Sequence, residues 1–134
     1  ESDFVVVTAL LNEETRLHID ARTLSRMKPT PYLVNVARAP VVDEKALYEA
    51  LVLKKIAGAG LDVFGEEPTP ASNPILKLDN VIVTPHALCW TDELFGNIAR
   101  TALGAVLAVH NGRAPEFVVN RAALAHPRAK AWLK

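Results

Sequence analysis

Tyr32-Leu33-Val34-Asn35-Val36 is a short apolar run, and Ile56-Ala57-Gly58-Ala59-Gly60-Leu61-Asp62-Val63-Phe64 is a second. Between them Asp43 stands where a helix N-cap belongs, and Ala46, Leu47, Ala50 and Leu51 fall on one face of the segment that follows. A strand, an amphipathic helix and another strand make a crossover unit, which joins parallel strands. The glycines of the second run permit close backbone packing.

The same alternation extends in both directions. Upstream, Phe4 to Leu11 is a near-continuous apolar run, as in a parallel strand covered on both faces. The polar turn Asn12-Glu13-Glu14-Thr15 follows, and then a short helix capped by Asp20 that runs to Lys28 and stops at Pro29-Thr30-Pro31. Downstream, Val81-Ile82-Val83-Thr84 is a fourth strand. The longest helix extends from Asp92 to about Asn111, with Leu94, Phe95, Ile98, Ala102, Leu103 and Val106 as its apolar stripe and Asn111-Gly112 as its close. The expected class is α/β with a parallel sheet.

Composition bounds the function. The 134 residues are 50% hydrophobic, enough for one sizeable core. Fifteen acidic and fifteen basic side chains cancel, so nothing draws the chain to phosphate backbones or anionic lipid; neither nucleic acid nor a membrane is an expected partner. The single cysteine, Cys89, fits a reducing compartment and hence a cytoplasmic location, and reads as a small buried filler. His18, His110 and His126 lack partners at useful spacing and read as surface residues, so no metal site is expected. Glu1-Ser2-Asp3 leads directly into the first apolar run without an initiator Met, which reads as a chain cut from a longer protein.

Ligands of open parallel sheets bind at the carboxyl ends of the strands. Three such ends are chemically loaded: Ala37-Arg38, the segment Asp62 to Glu67, and Pro85-His86. If the strands lie side by side, an Arg, a Glu and a His meet at one edge, a set suited to anion binding and proton transfer.

Three motifs carry a family resemblance. Asn35-Val36-Ala37-Arg38-Ala39-Pro40-Val41-Val42-Asp43-Glu44, Gly60-Leu61-Asp62-Val63-Phe64-Gly65-Glu66-Glu67-Pro68 and Asn80-Val81-Ile82-Val83-Thr84-Pro85-His86 resemble the arginine, glutamate and histidine signatures of the D-isomer-specific 2-hydroxyacid dehydrogenases. Their order and separations also fit, over residues 1 to about 120. The resemblance implies a Rossmann-like sheet, the second half of a dinucleotide-binding domain over residues 1–112, with residues 113–134 returning toward a substrate domain.

It also implies roles. Arg38 would hold the substrate carboxylate and polarise the 2-oxo group, a task for a planar, permanently charged fork. His86 would exchange a proton with the substrate oxygen, and Glu67 would hydrogen-bond His86 and fix its tautomer. Glu66 competes with Glu67; the place before Pro68 favours Glu67. Asp62 would face the nicotinamide carboxamide or serve as a turn residue. Ala9, Val36, Ala37, Arg38, Asp62 and His86 would line NAD or NADP, with NAD ahead. A small 2-oxo or 2-hydroxy acid is the implied substrate, and a homo-oligomer the implied assembly. A non-catalytic nucleotide-binding or protein-interaction module is the competing implication, since some relatives are corepressors.

The sequence also departs from the family pattern. The glycine-rich turn that would receive a pyrophosphate is absent, because Gly58-x-Gly60 lies within a strand. Alone, the chain is expected to be inactive. Ala39 stands where Gly is usual, and Leu53-Lys54 replaces a Ser-Gly type of helix end. Trp90 would edge the substrate pocket or pack on the long helix.

Overall fold

The computed structural model describes residues 2–133; Glu1 and Lys134, the polar first residue and the last lysine of the basic tail, lie outside the described residues. Packing separates the chain into two compact units, Glu1–Leu88 and Cys89–Lys134. This division falls before the long helix.

The first unit is built on four parallel strands in the order β1 (Phe4–Val7), β2 (Tyr32–Asn35), β3 (Gly58–Leu61) and β4 (Val81–Val83). Val7 pairs with Asn35, Asn35 with Leu61, and Leu61 with Val83, so all four carboxyl ends reach the same edge. Helix α1 (Ala21–Ser25) links β1 to β2 and α2 (Glu44–Val52) links β2 to β3. A loop with a 3-10 turn at Pro74–Lys77 links β3 to β4. The alternation read from the sequence is the one observed.

Capping sets the helix starts. The Asp20 carboxylate accepts the Thr23 N–H at 2.7 Å, and the Asp43 carboxylate accepts the Ala46 N–H at 3.0 Å. The expected extent of α1 to Lys28 is too long. Arg26 and Met27 donate to Thr23 and Leu24, three residues back, and these tight bonds close the helix early. Helix α2 ends without glycine. Lys54 adopts φ 52°, its N–H reaches the Leu51 carbonyl, and the Lys55 N–H reaches the Ala50 carbonyl. That is the paired closure that glycine ordinarily provides.

Helices α1 and α2 pack on one face of the sheet. Leu24, Leu47 and Leu51 join Leu33, Ile56 and Ile75 in a core from which water is excluded. The strands alternate accordingly. Leu33 is fully buried, whereas Phe4, Val6 and Ile82 on the other face are exposed. The expectation that β1 is covered on both faces is therefore corrected: both crossover helices lie on one side, and Phe4, which stacks on Tyr32 with ring centroids 5.6 Å apart, stays exposed. Strand β1 also ends at Val7 rather than Leu11, because β2 turns away after Asn35 and leaves residues 8–11 no ladder partner. The polar turn that follows is closed by the Asn12 side chain, which accepts the N–H groups of Glu14 and Thr15, each at 2.9 Å.

Of the two glycines in β3, Gly58 has the closer surroundings. A Cβ there would stand 2.5 Å from the Asn80 carbonyl oxygen and 3.0 Å from the Tyr32 ring.

The second unit contains α3 (Asp92–His110), a 3-10 turn at Arg121–Ala125 and α4 (Pro127–Lys130). Thr91 caps α3 through the Leu94 N–H, and Gly112, at φ 70°, closes it with the two-bond pattern seen at Lys54. None of the α3 residues is buried, and Phe95, Ile98, Leu103 and Val106 are exposed. Cys89 is exposed, which corrects the expectation of a buried filler; it lies in the turn ahead of α3, whose own residues are not buried. His18, His110 and His126 are on the surface. Trp90 packs edge-on against Phe95, with centroids 6.1 Å apart, and is 64% exposed.

Candidate active site

Parallel pairing brings the loaded segments to one edge. Arg38 follows β2, Asp62 to Glu67 follow β3, and Pro85-His86 follow β4.

The turn after β2 is shaped by Asn35, which is 2% exposed. Its side-chain oxygen accepts the Ala37 N–H at 3.1 Å and its amide donates to the Arg38 carbonyl at 3.3 Å. A polar residue ending an apolar strand was the only sequence signal for this role. Ala37 and Ala39 are buried and Val36 and Arg38 exposed, so the chain offers alternate residues to solvent. The Arg38 guanidinium bends back to donate to the Ala37 carbonyl at 2.7 Å. Ala9, past the end of β1, is exposed.

The turn after β4 is held by Asp62, 6% exposed at the end of β3. One carboxylate oxygen accepts the Thr84 hydroxyl at 2.5 Å and the Ala87 N–H at 2.9 Å. These partners flank His86, whose φ of 54° lies in the left-handed region. A non-glycine residue pays for that conformation, and bonds on both sides keep it there. Burial raises the Asp62 pKa, but the Thr84 hydroxyl, the N–H groups of Ala87 and Leu88 and the field of His86 outweigh it, leaving the carboxyl below its ordinary value. Thr84 and the Ala87 N–H were not legible as parts of the site.

Glu67, rather than Glu66, reaches the histidine. Its Oε2 is 2.7 Å from His86 Nδ1, and its Oε1 accepts the Phe64 N–H at 2.9 Å. The bond to His86 first, and the Phe64 N–H second, hold the Glu67 carboxyl below the usual range. With Nδ1 engaged, Nε2 is the nitrogen left for other partners. The pair opens on a cleft of about 620 Å³ whose apolar walls include Phe64, Leu76, Val83 and Pro85. Arg38 does not line this cleft.

A family model described as D-isomer specific 2-hydroxyacid dehydrogenase, NAD binding domain, matches residues 1–87. The chain belongs to this family. Among the dehydrogenase family's curated members, it is similar to a glyoxylate reductase of Korarchaeum cryptofilum, 46% identical over 90% of this chain and 36% of the relative. A D-isomer specific 2-hydroxyacid dehydrogenase of Xanthobacter autotrophicus, solved with NADPH and MES, is 39% identical with a TM-score of 0.71, over 89% of this chain and 47% of the other. One from Lactobacillus delbrueckii ssp. bulgaricus, in an NAD complexed form, is 32% identical with a TM-score of 0.82, over 89% and 40%. The chain thus spans between about a third and a half of the length of these family members.

Proposed function

We propose that this chain supplies the nicotinamide-side part of an NAD(P)-dependent oxidoreductase that interconverts a D-2-hydroxy acid and its 2-oxo acid. The observation that carries the reading is the Glu67–His86 pair, 2.7 Å apart at the mouth of an apolar cleft. In this reading, His86 protonates the carbonyl oxygen from Nε2 during reduction and takes the proton back during oxidation. Glu67 keeps Nδ1 protonated and steadies the imidazolium. Arg38, freed from the Ala37 carbonyl, pairs with the substrate carboxylate through its fork.

The carboxyl edge suits a nicotinamide group: Ala9 and Val36 are exposed there with the largely buried Ala37 beside them, and Arg38, Asp62 and His86 bring polar atoms. Asp62 has acceptor capacity left for a carboxamide N–H. A bound NAD(H) or NADP(H) would supply the hydride. NAD stands ahead of NADP, in line with the matched family description. The substrate is a small 2-oxo acid such as glyoxylate, as the name of the Korarchaeum relative suggests.

The lone cysteine supports a cytoplasmic location, and no helix among the described residues is long and apolar enough to cross a membrane. The exposed apolar stripe of α3 supports a homo-oligomer, which sedimentation of the full-length protein would reveal as a mass above one subunit.

The test is turnover by the full-length protein with glyoxylate and NADH or NADPH, beside a His86→Gln variant. Loss of about 10²–10⁴-fold in kcat is expected from removal of a general acid. Equal rates in both proteins would remove His86 from the chemistry.

A further inference from the structure

Glu44 is the first residue of α2, and its carboxylate is not spent on the helix, because Asp43 already caps it. It reaches instead into the loop between β3 and β4. Oε2 accepts the Gly65 N–H at 2.8 Å, and Oε1 accepts from the Asn73 side-chain amide at 3.0 Å. Asn73 in turn caps the 3-10 turn at Pro74–Lys77 through the Ile75 N–H at 3.0 Å, and Ile75 is buried in the core.

One carboxylate therefore joins the two ends of the loop segment 65–73. Glu67, Pro68 and Thr69 lie between those ends, and all three line the cleft. Gly65 suits the contact, since a Cβ there would come within 3.3 Å of Glu44 Oε2. The next residue back, Phe64, donates its N–H to Glu67 Oε1. The bridge thus ends one residue from the backbone group that orients the Glu67 carboxylate.

We propose that Glu44 is a positioning residue: by tying Gly65 to Asn73 it fixes the loop that presents Glu67 to His86. The use made of Glu67 rests on the dehydrogenase reading, but the tie itself does not. It also links the connection that carries Arg38 to the Glu67 loop, since Arg38 lies in the stretch between β2 and α2 and Glu44 opens α2.

Removing the tie frees the loop without uncapping α2. Glu67 then loses its registry with His86 and with the Phe64 N–H, the two contacts that hold its carboxyl low. The charged groups acting on Glu67 are His86, at the end of β4, and Asp62, at the end of β3.

The experiment is carbon-detected NMR titration of the side-chain carboxyls in the full-length protein, unsubstituted and as Glu44→Ala and Glu44→Gln. Glutamine keeps one acceptor oxygen and turns a donor toward the other partner, so it breaks half of the bridge in a side chain of the same shape. The expected result is an upward shift of the Glu67 midpoint, larger in Glu44→Ala than in Glu44→Gln, with Asp62 unmoved. An unchanged Glu67 midpoint in folded Glu44→Ala would overturn the proposal, as would Glu67 and Asp62 shifting together, which marks general loosening. Should Glu44→Ala not fold, Glu44→Gln decides by the same criteria. No turnover is measured, so an inactive full-length protein would sink the dehydrogenase reading and leave this result standing.

Discussion

His86 Nδ1 lies 2.7 Å from Glu67 Oε2, and the other oxygen of the same carboxylate is held by the Phe64 N–H. Glu67 is thus anchored from its own loop while it faces His86 in the turn after β4. The loop from β3 and the turn from β4 are joined through one carboxylate.

That junction makes the fold sensitive to acid. Glu67 and Asp62 both titrate below their ordinary values of 4.5 and 3.8 when folded. A depressed carboxyl contributes stability that is complete above its unfolded pKa and is lost as pH falls through the folded one. Stability should therefore drop from about pH 4.5 downward as these two groups take up protons. Glu67→Gln should make the loss shallower, read as the urea midpoint at successive pH values; an identical slope in both proteins would contradict this.

Asp62 clamps the turn on either side of His86. Asp62→Ala would leave the Thr84 hydroxyl and the Ala87 N–H without their acceptor, at a cost of about 1–3 kcal/mol. Asp62→Asn retains an acceptor oxygen and should lose less. Denaturation curves of the two variants would rank them, and equal midpoints would argue against the clamp.

The end of α2 is a place to gain stability. Lys54 holds φ 52° where α3 of the same chain uses Gly112 at φ 70° in the same bonding pattern. A left-handed residue with a Cβ costs about 1–2 kcal/mol, and glycine returns part of the gain as unfolded-state entropy. Lys54→Gly should therefore raise stability by roughly 0.5–1 kcal/mol, seen as a higher urea midpoint at unchanged slope.

Gly58 is a place to lose it. A methyl at this position would sit 2.5 Å from the Asn80 carbonyl, whose oxygen accepts the Ala59 N–H that pairs β3 to β4. Backbone has to shift, so Gly58→Ala should cost about 1–3 kcal/mol. Gly60, whose added Cβ would meet only Val34 methyls at 3.7 Å, is the control and should tolerate alanine better.

Much of this was legible in the residues alone. Asp20 and Asp43 announced their helices because a cap is satisfied within three residues. Ala46, Leu47, Ala50 and Leu51 announced the buried face of α2 because helical periodicity is local. The three motifs gave Arg38, Glu67 and His86, and parallel strands then had to deliver them to one edge. What periodicity could not give was the reach of each strand. The apolar run through Leu11 loses its ladder at Val7 only because β2 turns away at Asn35. It also could not say that Phe4 and Val6 stay exposed, since that depends on which side of the sheet both helices choose.

The sequence by itself determined the order of strands and helices, their caps and the residue types arriving at the carboxyl edge. Tertiary structure alone decided that Glu67 stands within hydrogen-bond reach of His86, that Asp62 binds both Thr84 and Ala87 around it, and that Glu44 bridges Gly65 and Asn73. The first set rests on neighbours a few residues apart, whose preferences are written in the chain. The second joins residues separated by nineteen to twenty-nine positions, which meet only once strand register and the core beneath the sheet have set the distances between loops.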